Sequence, residues 1–222
     1  MPISPADFDA IFTEGARFPW PSGHTLRIEL REVAKLELPT GRLVARDNGI
    51  RVADPFDETQ AFAHSVKNGS YTVVLAIAEP EARSYGARPR AAAAKVVISA
   101  EEVASWEIAL RPGQRMADLA DDAFFGFAVD SGQGCFLDLS TLPFLRRLQR
   151  DETELDAARD RVMRDCHAEL MDPQAGTNIV LFDCGMGDGA YPTWLGRGVS
   201  GEIVCFATDL ELLSHSSGRP PT

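Results

Sequence analysis

Residues 178–209 constrain the fold more tightly than any other stretch. An apolar run, Ile179 to Phe182, meets Asp183, and glycines then recur at Gly185, Gly187 and Gly189 with Asp188 among them. Tyr191 and Pro192 follow, and a second apolar run, Ile203 to Ala207, closes at Asp209. Two apolar segments joined by so much special backbone must either wrap a ligand or reverse direction.

The ligand reading rests on an apolar strand, an acidic residue and G-x-G-x-G, as at the S-adenosylmethionine site of class I methyltransferases or in a dinucleotide fingerprint. Both need a helix after the glycines, its N-terminus facing the ligand. Pro192 removes a backbone donor, and the residue before a proline avoids the α region. Too little chain follows Gly189 for the remaining βα units of a doubly wound sheet. Reversal fits better. Asp188-Gly189 is a hairpin-type dipeptide, because glycine accepts positive φ without steric cost, and Ser200-Gly201 is a second turn signal. The segment reads as a β-meander with strands at about 178–184, 190–195 and 202–208, and with Asp183 and Asp209 near strand ends.

The 222 residues carry a net charge of −11, and the sequence pI is about 4.8. That charge disfavours nucleic acid and anionic membrane surfaces, and suits a soluble protein or one that meets a basic partner. No apolar run approaches the ~20 residues of a membrane span. The N-terminus has no basic or apolar signal-peptide region, so a cytoplasmic protein is expected. Cys135, Cys166, Cys184 and Cys205 form no C-x-x-C pair. Buried, reduced thiols are expected, and neither a metal site nor a cofactor.

The remaining chain reads as one α+β unit of mainly antiparallel strands, meander- or sandwich-like, with a long helical region at about 140–171 packed on it. Residues 4–15 suggest an amphipathic helix capped by Ser4, with Phe8, Ile11 and Phe12 on one face. Leu26, Ile28 and Leu30 alternate with charges, giving a strand. Leu43, Val44, Ile50 and Val52 flank Asn48-Gly49 as a hairpin, which Asp54-Pro55 ends. Tyr71 to Ala78 is apolar enough for a strand buried on both faces. Ala91 to Ser99, 103–110 with Trp106, Phe124 to Val129 and Cys135 to Asp138 read as further strands. Residues 112–123 suggest a helix with Met116 and Leu119 inward. In the long helical region Leu142, Phe144, Leu145 and Leu148 mark a first piece. Asp151 with Glu154 opens a second, which carries Leu155, Ala158, Val162, Cys166 and Leu170. His167 falls near its end. The tail from Ser214 is polar and reads as frayed.

Chemistry concentrates at strand ends. Asp130-Ser131-Gly132-Gln133-Gly134 matches the pattern of Asp183-Cys184-Gly185-Met186-Gly187. Paired carboxylates at such positions could serve as acid and base. The candidate catalytic set is Asp130, Asp138, Asp183, Asp188 and Tyr191. Arg83, Arg88 and Arg90 suggest an anion site, since guanidinium forks suit carboxylate or phosphate. Arg88, Arg90 and Asp209 are the candidate ligand-binding residues.

An ordered set of residues carries a resemblance. It comprises Asp54-Pro55, Gly69-x-Tyr71-x-Val73, Arg90, Trp106, Val129-Asp130-Ser131-Gly132-x-Gly134-Cys135-Phe136-x-Asp138, Asn178 and Asp209. Its most specific part is Gly185-Met186-Gly187-Asp188-Gly189-x-Tyr191-Pro192-x-Trp194-x-Gly196. The set resembles the 4241 family of domains of unknown function over about residues 45–210. The resemblance implies a bacterial, cytosolic origin and no particular activity. Gly198 departs from it, because an acidic residue is common near that place in the family.

Two readings of function follow. The first is an acidic interaction module, an immunity- or defence-type partner of a basic protein. The second is a small enzyme or ligand-binding protein with an Asp/Gly-rich cleft that takes a small anion. The cofactor-dependent methyltransferase stands behind both.

Overall fold

The run Ile179 to Phe182 is buried on both faces, and the architecture follows from what covers each face. The computed structural model describes residues 3–21, 23–51, 60–81 and 88–213. Its elements begin with helix α1 (Phe8–Ile11) and strands β1 (Arg17–Pro19), β2 (Thr25–Leu38), β3 (Leu43–Asp47), β4 (Gly69–Pro80), β5 (Arg90–Val97), β6 (Ser105–Ile108), β7 (Gly126–Val129) and β8 (Gln133–Asp138). Helices α2 (Leu142–Leu148) and α3 (Glu152–Asp165) follow, then β9 (His167–Asp172), β10 (Thr177–Asp183), β11 (Gly189–Arg197) and β12 (Ile203–Asp209).

Two sheets form, and every ladder among the described residues is antiparallel. The larger has the order β1-β2-β4-β5-β12-β11-β6, with β7 paired to the first half of β11. The smaller has the order β3-β8-β10-β9. Side chains alternate across each strand. Val180 and Phe182 of β10 therefore enter the core between the sheets with Phe136, Leu75, Ile77 and Phe206. Ile179 and Leu181 turn the other way, onto Leu145, Leu155, Ala158 and Val162 of α2 and α3. On the far face of the larger sheet, Phe8 and Ile11 of α1 cover Ile28, Ala76, Ala78 and Trp194. The fold is thus α+β, mainly antiparallel sheet.

The apolar run of β4 divides in the same way, with Val73, Leu75 and Ile77 toward the second sheet and Ala76 and Ala78 toward α1. Beside it the alanines of β5 form a strand with a bulge, since Ala76 faces Ala93 while Ile77 faces Ala91. A bulge reverses the in–out sense of the chain. Ala91 lies on the core side before the bulge, and Ala94 and Val96 lie there after it.

Several expectations are corrected. Strand β10 pairs with β8 and β9, so 178–208 is not a meander: the chain changes sheet between β10 and β11, and only β11 and β12 form a hairpin. The helical region stops at Asp165, where Cys166 takes a left-handed conformation (φ 64°), and His167–Asp172 is strand β9. Helical and strand spacing both suit Ala168 and Leu170, and pairing with β10 decides the matter. Helix α1 starts late because Asp7, not Ser4, caps it, accepting from the Ala10 N–H at 3.0 Å. Residues 112–123 hold only a 3-10 turn at Met116–Asp118, with Met116 exposed. Strand β3 pairs with β8, and Asn48–Ile50 form a bend; Val52, on the far side of the expected hairpin, lies outside the described residues. Asp54-Pro55, Arg83 and the tail from Ser214 lie outside the described residues.

The Phe182 and Phe136 rings sit 4.7 Å apart, centroid to centroid, at the centre of the inter-sheet core. Phe182→Ala should lower the unfolding free energy by about 3–5 kcal/mol in a urea titration. A loss under about 1 kcal/mol would mean that this ring does not hold the sheets together.

Candidate functional site

The two sheets meet at the C-terminal end of β10, where the sequence-predicted residues gather. Asp183 is buried there, its side chain 2% exposed. Its Oδ1 accepts from Arg88 Nη2 at 3.0 Å, and its Oδ2 accepts from the Ala91 N–H at 3.2 Å. Asp183 belongs to the smaller sheet, while Ala91 lies near the start of β5 of the larger, so one carboxylate ties the sheets together. Arg90 adds a second tie, donating to the Gly185 carbonyl at 2.6 Å. Both candidate anion-binding arginines are thus engaged by residues 183–185.

The glycines that follow carry the chain across this junction. A Cβ on Gly185 would lie 2.4 Å from the Ala91 carbonyl oxygen, so only glycine allows the approach. Gly187 turns at φ +97°, its N–H donating to the Cys184 carbonyl. The chain then enters β11 at Gly189 as a strand, not as the helix that a cofactor fingerprint requires. Tyr191 is buried, and its hydroxyl donates to the Gly187 carbonyl at 2.7 Å. Burial pushes its phenol well above the usual range, away from acid–base work at neutral pH.

The matching segment at 130–134 lies alongside. The Cys184 N–H donates to the Gly132 carbonyl at 3.0 Å. Val129 of β7 faces Gly189 of β11, so the adjoining residues Asp130 and Asp188 flank one ladder position, and both are exposed. Asp138 is elsewhere and wholly buried. It accepts from the N–H and hydroxyl groups of Thr40 and Ser140, at 2.6–3.1 Å. Asp209 ends β12, and its Oδ1 accepts from the Glu211 N–H at 2.8 Å. The structure therefore joins Asp130, Asp183, Asp188 and Tyr191 at one end of the molecule, and puts Asp138 at another turn.

Sequence reasoning missed Asp47. This buried carboxylate accepts from the Gly49 and Ile50 N–H groups with one oxygen, and from Asp130 (2.7 Å) and Ser131 (2.9 Å) with the other. The signal was Asp47-Asn48-Gly49, in which an aspartate can bond the backbone two residues on. Asn178 also acts across the sheets, accepting from the Glu37 N–H at 2.9 Å and donating to the Lys35 carbonyl at 2.7 Å. At Gly198, the position that departs from the family pattern, a Cβ would meet the Glu101 carboxylate at 2.2–2.6 Å. Lys95, one lysine in an apolar strand, was also passed over.

All four cysteines are buried and unbridged. Burial raises Cys135 to about 12 and Cys166 and Cys205 to about 11, and raises Cys184 well above its ordinary value. His167 lies on β9, its Nδ1 3.0 Å from the Asp165 carbonyl oxygen. Among the described residues, no group of three or more His, Cys, Asp or Glu is placed to hold a metal ion. No described helix is long and apolar enough to cross a membrane.

The chain belongs to the family described as protein of unknown function (DUF4241), whose model matches residues 36–208. No curated protein and no solved structure matches it.

Two measurements follow. Asp183→Asn leaves Arg88 without its charge partner and should cost about 3 kcal/mol of stability, whereas the exposed Asp188→Asn should stay within about 0.5 kcal/mol. Equal effects in urea titrations would refute the structural role of Asp183. The thiols should be inert to a disulfide reagent at pH 8 in the folded protein. Their folded values lie above the ordinary 9.0, so the folded state holds its thiol protons longer. The thiols' contribution to stability should be constant below pH 9 and be lost from there toward pH 12. Rapid labelling of any native thiol at pH 8 would contradict this.

Proposed function

We propose that this member of the DUF4241 family is a cytoplasmic interaction module that acts by binding a basic protein. The observation that carries the reading is how the carboxylates are used. The buried ones are consumed by internal bonds: Asp183 by Arg88 and Ala91, Asp138 by Thr40 and Ser140, and Asp47 by four backbone N–H groups. Carboxylates so buried and so occupied have no free oxygen to offer a substrate. Asp130 and Asp188, by contrast, are exposed, adjacent and of like charge. A cationic group placed between them would relieve their repulsion, and the chain's charge of −11 would speed the approach of a basic partner.

An enzyme built on the same end of the molecule would need one of these aspartates to meet substrate. The buried Asp183 and the neutral, hydrogen-bonded Tyr191 speak against that alternative. The test is capture from cells that carry the gene, comparing the full chain with the double variant D130N/D188N. The retained proteins should be basic, should elute with added salt, and should fall about tenfold with the double variant. Undiminished retention by the variant, or retention insensitive to salt, would overturn the proposal.

A further inference from the structure

The opposite face of the larger sheet carries a separate feature. A cleft of about 440 Å³ opens beside α1. That size falls within the range of small-molecule sites. Three aromatic rings line one part of it: Phe8 packs on Trp106 with ring centroids 4.6 Å apart, and Phe12 stacks 6.2 Å from Phe8. Gly196 packs against two of the lining residues. A Cβ there would come within 2.7 Å of Cys205 Sγ and 3.1 Å of the Trp106 ring.

Lys95 reaches into this cleft from β5. It faces Ala207 across the β5–β12 ladder, which puts it on the α1 side of the sheet. Its Nζ lies 3.9 Å from the centre of the Phe12 ring. Lys95 makes no hydrogen bond or ion pair with the described residues; its Nζ rests on the face of one ring, and Cys205 and Asp9 act on its charge only through space. A cation–π contact returns less than a partly dehydrated ammonium loses. Burial lowers the lysine's pKa from its ordinary value, which agrees with an ammonium that lacks an acceptor.

The charged groups around it narrow the ligand. Asp9 of α1, and Glu101 and Glu102 before β6, stand at the cleft, and Cys205 of β12 lies beneath. Glu101 is already taken, accepting from the Ser200 N–H at 3.1 Å and from its hydroxyl at 2.9 Å. Asp9 and Glu102 would repel a multiply charged anion such as a phosphate ester. One ammonium matches one negative charge, and three rings match a flat apolar body.

We propose that this cleft binds an aromatic monocarboxylate, its ring held against Phe8, Phe12 and Trp106 and its carboxylate paired with the Lys95 ammonium. The site lies apart from Asp130 and Asp188 and does not depend on the interaction-module reading.

The experiment is calorimetric titration of the full chain with 2-naphthoate, with 2-naphthalenemethanol as a neutral probe and 2-naphthyl phosphate as a more highly charged one. The site should bind naphthoate saturably and more tightly than either comparator. Lys95→Met should weaken naphthoate about tenfold and leave naphthalenemethanol within about twofold, while Lys95→Arg should restore most of the naphthoate affinity. Should Lys95→Met fail to fold, the pH dependence of the wild type decides. Naphthoate affinity should fall before the ordinary lysine value of 10.5 is reached, and that of naphthalenemethanol should not. Absence of saturable naphthoate binding, tighter binding of the phosphate, equal affinity in Lys95→Met, or a flat pH profile would overturn the assignment.

Discussion

A carboxylate removed from water must recover its hydration from the protein, or it will not stay charged. Asp183 does so by reaching from one sheet to the other. Arg88 supplies the counter-charge and Ala91 an N–H, while Arg90 binds the carbonyl two residues further on. Much of the local geometry depends on this arrangement. The start of β5 is fixed against the end of β10, and the β10–β11 crossing must pass so close that position 185 tolerates no side chain. Cys166 joins the same junction, its carbonyl accepting the Asp183 N–H at 3.0 Å and its Sγ lying 3.4 Å from the Pro89 carbonyl oxygen.

The same device recurs around the molecule. Asp47 gathers the turn at 130–131, Asp138 gathers the turns at residues 40 and 140, and Asn178 clamps the backbone of β2. Each is a short polar side chain at a strand end or in a strand, and each satisfies backbone groups that a sandwich edge would otherwise leave unpaired. The glycine-rich segment is part of this system. Its role is close passage and reversal of the backbone.

How far the sequence revealed this depended on whether the signal was local. The both-face burial of β4 was legible because Val73 to Ala78 contains no polar residue that would need water. The Asp151 cap of α3 was legible too, its carboxylate accepting from Thr153. Partner choice was not. Residues 178–208 have the strand spacing of a meander, yet the first strand joins another sheet, a decision made by Phe136 and Leu137 many residues earlier in the chain. Strand β9 was hidden because Cys166 and Leu170, four apart, also fit a helix, and nothing nearby announces a left-handed residue at 166. For the site, the sequence picked out Asp130, Asp183, Asp188 and Tyr191, which do assemble at one end. It could not show that Asp183 faces inward, because Arg88 is distant in sequence. Lys95 interrupts an apolar run, and that was the available hint of the aromatic cleft.

The functional conclusion rests on Asp183 being a latch between sheets and not a reactive group, and a double-mutant cycle measures that directly. Unfolding free energies of the wild type, Asp183→Asn, Arg88→Met and the double variant give the coupling between the two side chains. The account predicts a coupling of about 1.5–3 kcal/mol, with the double variant little worse than either single one. Strictly additive losses would contradict it and return Asp183 to the candidates for chemistry.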